Sequence, residues 1–143
     1  MGKTAIYPGS FNPWHGGHTD VLDKALKIFD RVVVAIGSNP EKAGIASNPS
    51  VQFFEEEYGD RVILLRFNGL LVDFIKELND DGWPIDVVIR GLRNGQDLEF
   101  EKTQQYWNED LGLEIPTVYF VSDRKLSHIS SSAIRQIKSI RTS

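Results

Sequence analysis

Residues 5–36 read AIYPGSFNPWHGGHTDVLDKALKIFDRVVVAI, and the fold is decided in this stretch. It opens with a short apolar run, residues 5–7, and closes with residues 31–36, RVVVAI, rich in β-branched side chains and without polar alternation. Such runs suit strands covered on both faces. Between them Val21, Leu22, Ala25, Leu26 and Phe29 recur at three- and four-residue spacing, which predicts a helix over residues 19–29 with one apolar face. The unit is strand, helix, strand, and strands joined by a crossover helix run parallel.

The same alternation continues along the chain. Residues 61–65 (RVILL), 85–89 (IDVVI) and 117–121 (TVYFV) read as further strands, separated by helices expected over 70–78 and 97–111. The pattern predicts an α/β fold: a single-domain Rossmann-like parallel sheet of five strands with helices on both faces. Ligands of such sheets bind beyond the carboxyl ends of the strands. Those ends carry residues 9–18, 38–42, 90–93 and 127–132, where the unusual side chains gather. Residues 43–60, turn formers followed by an acidic and aromatic stretch, read as a mobile flap holding one or two helical turns.

Composition narrows the function. A chain of 143 residues is large enough for one domain with its own core. Cysteine is absent, which excludes disulfides, thiolate metal sites and a thiol nucleophile. A net charge of −4 argues against a nonspecific nucleic-acid binder, which carries a basic footprint. No apolar stretch approaches the ~20 residues of a membrane helix, and the first residues lack the apolar segment of a signal peptide. A cytoplasmic protein with neither nucleic acid nor membrane as partner is expected.

Within residues 8–18, PGSFNPWHGGH, glycines let the backbone approach a ligand, and the helix start that follows offers unpaired N–H groups and a positive dipole end. His15, His18 and the Ser10 hydroxyl add donors, so a phosphate suits the collection. The plainer alternative is a strand-to-helix turn whose histidines only cap the helix. Residues 89–94, IRGLRN, place Arg90 and Arg93 around Gly91, and two guanidinium forks suit phosphate, although arginines after a strand can simply stay solvated. Lys42 in the loop SNPEK offers a flexible point charge. Ser130, Ser131 and Ser132 in a row exceed what capping a final helix needs. Glu101 lies on a helix with acidic neighbours that fit a solvated face, and Leu70, Leu71 and Phe74 fit a core stripe.

The pattern G-x-F-x-P-x-H-x-G-H resembles that of the HxGH nucleotidyltransferases. Within them the chain is most similar to the bacterial phosphopantetheine adenylyltransferase family. AIYPGSFNPWHGGH, FDRVVVAIGSNPEK, VVIRGLRNGQDLEFE and SHISSSAIRQ match that family's elements in order over nearly the whole chain, and IRGLR is the most specific of them. The resemblance implies a transferase that moves AMP from ATP to 4′-phosphopantetheine, giving dephospho-CoA and pyrophosphate, by in-line attack of the acceptor's phosphate. It gives His18, Lys42, Ser10 and Arg93 catalytic roles. It assigns ATP to Ser10, Phe11, His15, Gly17, His18, Gly91, Leu92, Arg93 and Glu101, and to Leu126, Ser127, His128, Ile129, Ser130, Ser131 and Ser132. It assigns the acceptor to Ser10, Lys42, Leu71, Arg90 and Asn108, with Tyr106 and Trp107 beside Asn108 along the pantetheine arm. Mg²⁺ accompanies ATP with few direct protein ligands, as that ion tolerates, and no carboxylate cluster in the sequence would form a cage for it. The family also implies a homo-oligomer, typically a hexamer.

The sequence departs from the family pattern at named places. Asn12 stands where the pattern has aspartate, His15 where it has threonine, and Leu126 and His128 replace aromatic residues near the adenine. The expected organisation is one nucleotidyltransferase domain over residues 1–143 with a shortened C-terminus. The rival functions are another HxGH enzyme, such as a nicotinamide mononucleotide adenylyltransferase or a cytidylyltransferase, and a nucleotide-binding module without turnover. A flavodoxin-like signalling domain shares the alternation but leaves HGGH unexplained.

Overall fold

The computed structural model describes residues 2–11, 14–37, 51–92 and 95–122. Among them are β1 (Thr4–Gly9), α1 (Gly16–Leu26), β2 (Arg31–Gly37), α2 (Val51–Tyr58), β3 (Val62–Phe67), α3 (Leu71–Asp80), β4 (Val87–Leu92), α4 (Gly95–Asp110) and β5 (Thr117–Val121). The strands are all parallel, in the order β3-β2-β1-β4-β5.

Successive strand residues alternate between two cores, which is why the strands read as unbroken apolar runs. Ala5, Tyr7, Val32 and Val34 meet Val21, Leu22 and Ala25 of α1 and Phe54 of α2. Ile6, Val33, Ala35 and Val88 meet Val72, Ile75 and Leu78 of α3 on the opposite face. Among the described residues no helix is long and apolar enough to cross a membrane.

The main departures from the sequence reading each have a local reason. α1 starts at Gly16 rather than residue 19, because His15 caps it there. Residues 51–60 are not a flap: α2 is a two-turn helix whose Phe54 is buried in the first core, and Tyr58 donates from its hydroxyl to Asp23 Oδ1 at 2.8 Å. Residues 43–50 lie outside the described residues. Arg61 belongs to the 3₁₀ turn Gly59–Arg61, not to β3, and its guanidinium donates to the carbonyls of Leu26 (2.7 Å), Phe29 (3.1 Å) and Asp30 (3.1 Å). It thereby serves acceptors left over where α1 ends. Finally β4 begins at Val87 and runs on through Arg90, Gly91 and Leu92, which were expected in the loop after it. β5 keeps them in the sheet by pairing Arg90 with Tyr119, Gly91 with Phe120 and Leu92 with Val121.

One seam in the sheet positions the site. β1 pairs with β2 along its whole length, but with β4 only at Ala5–Val87 and Ile6–Val88. The chain order reverses at β1, and beyond Ile6 and Val88 the two central strands diverge into a crevice of the kind that holds ligands in such sheets.

Candidate active site

The crevice is built first from the turn between β1 and α1. Phe11 takes the left-handed φ of 46° and folds its ring back over the end of β1, where it is 3% exposed. A Cβ on Gly9 would stand 2.9 Å from Phe11 Cζ, so only glycine admits that ring. Phe11 then packs against Tyr7, Trp14 and His18, with centroids at 5.0, 4.9 and 4.9 Å.

The two histidines form a reciprocal cap. His15, extended at the N-cap, accepts on Nδ1 from Gly17 N at 3.1 Å, and His15 N donates to His18 Nδ1 at 3.1 Å. Their rings stack at 3.8 Å. Because each Nδ1 accepts a hydrogen bond, each neutral imidazole carries its proton on Nε2 and is a donor there. Capping and anion binding are therefore compatible roles: the cap selects the tautomer that can donate. The departure at His15 also becomes intelligible, since the threonine of the family pattern is itself a good N-cap residue.

The far wall comes from β4 and α4. A Cβ on Gly91 would lie 2.9 Å from Val21 Cγ2 and 3.7 Å from the Tyr7 hydroxyl, so this glycine lets α1 close down on β4. Arg90 donates from Nε to Glu101 Oε2 at 2.7 Å and from Nη1 to the Pro8 carbonyl at 3.1 Å, spanning the seam between the diverging strands. The pair is largely covered, with the side chains 25% and 15% exposed. Glu101, expected at the nucleotide, is thus first a partner of Arg90. Beside it the Tyr7 phenol is pushed well above its ordinary pKa by burial, with Arg90 pulling it down and Glu101 pushing it up. It is a neutral hydroxyl at any physiological pH.

The Arg90–Glu101 pair divides the crevice in two. On the α1 side a cleft of about 280 Å³ gathers Ser10, Phe11, His15, Gly17, His18 and Gly91, together with Tyr7 and Ser122. On the α4 side a cleft of about 270 Å³ gathers Leu71 and Asn108 with Gln104, Gln105, Thr117 and Tyr119. Pro8, Gly9, Arg90 and Glu101 line both. The second wall is polar and ordered: the Tyr119 hydroxyl donates to Gln105 Oε1 at 2.8 Å. Burial raises the pKa of Tyr119, with Glu101 adding to the shift and Arg90 opposing it.

Most described site candidates meet here, with two corrections. Leu92 borders neither of these clefts; its carbonyl accepts from Ser122 N at 3.0 Å. Tyr106 and Trp107 lie outside both, 55% and 63% exposed, because the turn of α4 brings Gln104, Gln105 and Asn108 to the wall instead. Lys42, Arg93, Leu126, Ser127, His128, Ile129, Ser130, Ser131 and Ser132 lie outside the described residues. Tyr7, Gln104, Gln105, Tyr119 and Ser122 were not singled out by the sequence. For the helix residues a signal existed: Glu101, Gln104, Gln105 and Asn108 recur at helical spacing, a polar stripe that reads equally well as solvated surface.

Comparison with known proteins gives the site its relatives. The cytidylyltransferase-like family model matches residues 6–137. A phosphopantetheine adenylyltransferase of Clostridium novyi is 40% identical over 94% of this chain and 83% of its own length. One of Christiangramia forsetii is 39% identical over 94% of this chain and 87% of its own. Among solved structures, a pantoate-beta-alanine ligase of Francisella tularensis superposes with a TM-score of 0.56 at 15% identity, over 99% of this chain and 71% of that one. That likeness is one of fold.

Proposed function

The chain belongs to the cytidylyltransferase-like family and, within it, to the phosphopantetheine adenylyltransferases, and from that premise we propose that its divided crevice transfers AMP from ATP to 4′-phosphopantetheine in coenzyme A biosynthesis. The observation that carries this reading is the pair of clefts meeting at one arginine, with a capped imidazole pair on one side and an amide-rich wall on the other. A reaction joining two substrates through a phosphate needs that shape. ATP takes the α1 side and the acceptor the α4 side.

The reaction needs no protein nucleophile. An oxygen of the acceptor's phosphate attacks the α-phosphorus, a new P–O bond forms in line, the bond to the bridging oxygen breaks, and pyrophosphate leaves. Positioning and charge stabilisation are the protein's whole task. His18, with its proton on Nε2, donates to the α-phosphate as negative charge builds there. Arg90 meets the acceptor phosphate with N–H groups beyond the two held by Glu101 and Pro8, and those two bonds fix the fork before the substrate arrives. Ser10 and Lys42 hold the attacking phosphate; Gly91 and Arg93, with residues 126–132, hold the nucleotide. Leu71 and Asn108, joined by Gln104 and Gln105, line the pantetheine arm, whose amides match amide side chains.

Magnesium fits as an ion carried by the ATP phosphates. The donors of the α1-side cleft are chiefly imidazole, hydroxyl and guanidinium, and its carboxylate, Glu101, is engaged by Arg90. When bound, Mg²⁺ would neutralise phosphate charge. The same reading makes the protein a cytoplasmic homo-oligomer, up to a hexamer. The exposed Phe100 and Trp107 on one flank of α4, with Leu111 just beyond its end, support an assembly, which light scattering would measure.

Pyrophosphate release, assayed with ATP or CTP against 4′-phosphopantetheine, nicotinamide mononucleotide and a sugar phosphate, tests the function. Release with ATP and 4′-phosphopantetheine is expected; release only with another acceptor replaces the reading, and ATP binding without release points to a binding module. His18→Ala should lower kcat by about 10²–10³ while ATP still binds measurably.

A further inference from the structure

We propose that Trp14 is a positioning residue for His18, holding the imidazole in the one orientation that keeps its Nε2 proton on the cleft side. Trp14 precedes the N-cap His15, and Thr19 is the fourth residue of α1. An apolar pair commonly joins these two positions and sets the angle at which a chain approaches its helix. Here the link is a hydrogen bond instead, from Trp14 Nε1 to Thr19 Oγ1 at 2.8 Å.

That bond places the indole against the reacting imidazole. Trp14 and His18 have centroids 5.2 Å apart with planes 39° apart, and His15 stacks on His18 at 3.8 Å. Trp14 is itself backed by Phe54 of α2, edge-on at 5.2 Å and 1% exposed, and by Phe11 at 4.9 Å. A flip of the His18 ring would have to displace Trp14 or His15. It would also exchange Nδ1 with Cδ2 and Nε2 with Cε1, breaking the bond from His15 N and carrying the Nε2 proton to the other edge of the ring. Trp14 therefore acts through His18 and touches no substrate in this account.

The proposal rests on the function proposed above, so its test carries one readout that does not. Thr19→Val removes the acceptor at nearly constant shape, Trp14→Phe keeps a ring without the N–H, and Thr19→Ser keeps the hydroxyl as a rescue. For each, His18 is observed by two-bond ¹H–¹⁵N correlation of its ring nitrogens at about pH 8.5, about two units above the ordinary imidazole value. Pyrophosphate release and melting temperature are measured alongside. Thr19→Val and Trp14→Phe should convert a single Nε2–H tautomer into a mixture and lower kcat about tenfold, a change of ~1.4 kcal/mol in the barrier. The KM for ATP should stay within about twofold, since orientation matters chiefly in the transition state. Thr19→Ser should behave as the wild type. An unchanged single tautomer in Thr19→Val and Trp14→Phe overturns the proposal, whether activity falls or not. So does a lowered melting temperature in Thr19→Ser equal to that in Thr19→Val, which would make the loss one of general packing. If the wild type releases no pyrophosphate from any acceptor, the functional reading fails while the tautomer comparison still decides the role of Trp14.

Discussion

α1 and α4 wall the same crevice, yet they are attached to the sheet by different physics. α1 buries Val21, Leu22 and Ala25 to 1% exposure or less and is served at its ends by His15 and by the Arg61 guanidinium. α4 leaves Phe100, Tyr106 and Trp107 more than half exposed and meets the sheet through Arg90–Glu101 and Tyr119–Gln105. Apolar packing locates a helix without directional groups, so α1 is seated on the sheet without drawing on the polar side chains at its N-terminus. Polar attachment does the reverse: it keeps the inner face of α4 rich in amides and charge, the surface that a polar acceptor needs.

Substitutions on the two helices should separate these modes. Leu22→Ala removes a side chain with no exposed surface and should cost about 2–5 kcal/mol in denaturant unfolding; a cost below about 1 kcal/mol would erase the distinction. Glu101→Ala strips Arg90 of its carboxylate and should cost about 2 kcal/mol, with a changed KM for the phosphorylated acceptor as its second signature. Full stability in that variant would mean that α4 is held by something other than the ion pair. Tyr7, which lies where the two walls meet, sharpens the comparison through pH. Its folded pKa is raised above the ordinary 10.0, so the unfolded chain loses the proton first. The stability carried by the protonated phenol is whole below about pH 10 and declines above it, by at most about 1.4 kcal/mol per pH unit. Tyr7→Phe should flatten that alkaline decline in thermal melts, leaving the share due to Tyr58, which burial and the bond to Asp23 raise as well.

The same contrast explains what could be read from the sequence. α1 was legible because packing imposes a 3.6-residue apolar period, and β1 and β2 because both faces are covered. The end of β4 was not, because Arg90 breaks the apolar run while pairing with β5 continues. For α2 one or two helical turns were legible, but three consecutive glutamates around a single anchoring Phe54 concealed that the helix packs on the sheet. Ser10, His15, Gly17 and His18 stood out because they lie close together in the chain and are chemically unusual. Tyr7 did not, since nothing in a strand covered on both faces marks the residue that reaches the crevice. Gln104 and Gln105 share their pattern with any solvated helix. The role of His15 as a cap needed coordinates, because a histidine at that position is equally consistent with an anion donor alone.

The seam between β1 and β4 has a mechanical consequence. The flanking ladders run the length of their strands, while the central one holds only Ala5–Val87 and Ile6–Val88, so the sheet is weakest along the line where its substrates would lie. A ligand touching both Ser10 and Arg90 would then work as a strut, bracing two half-sheets that the backbone joins lightly. Its grip would be felt as rigidity in strands it never contacts.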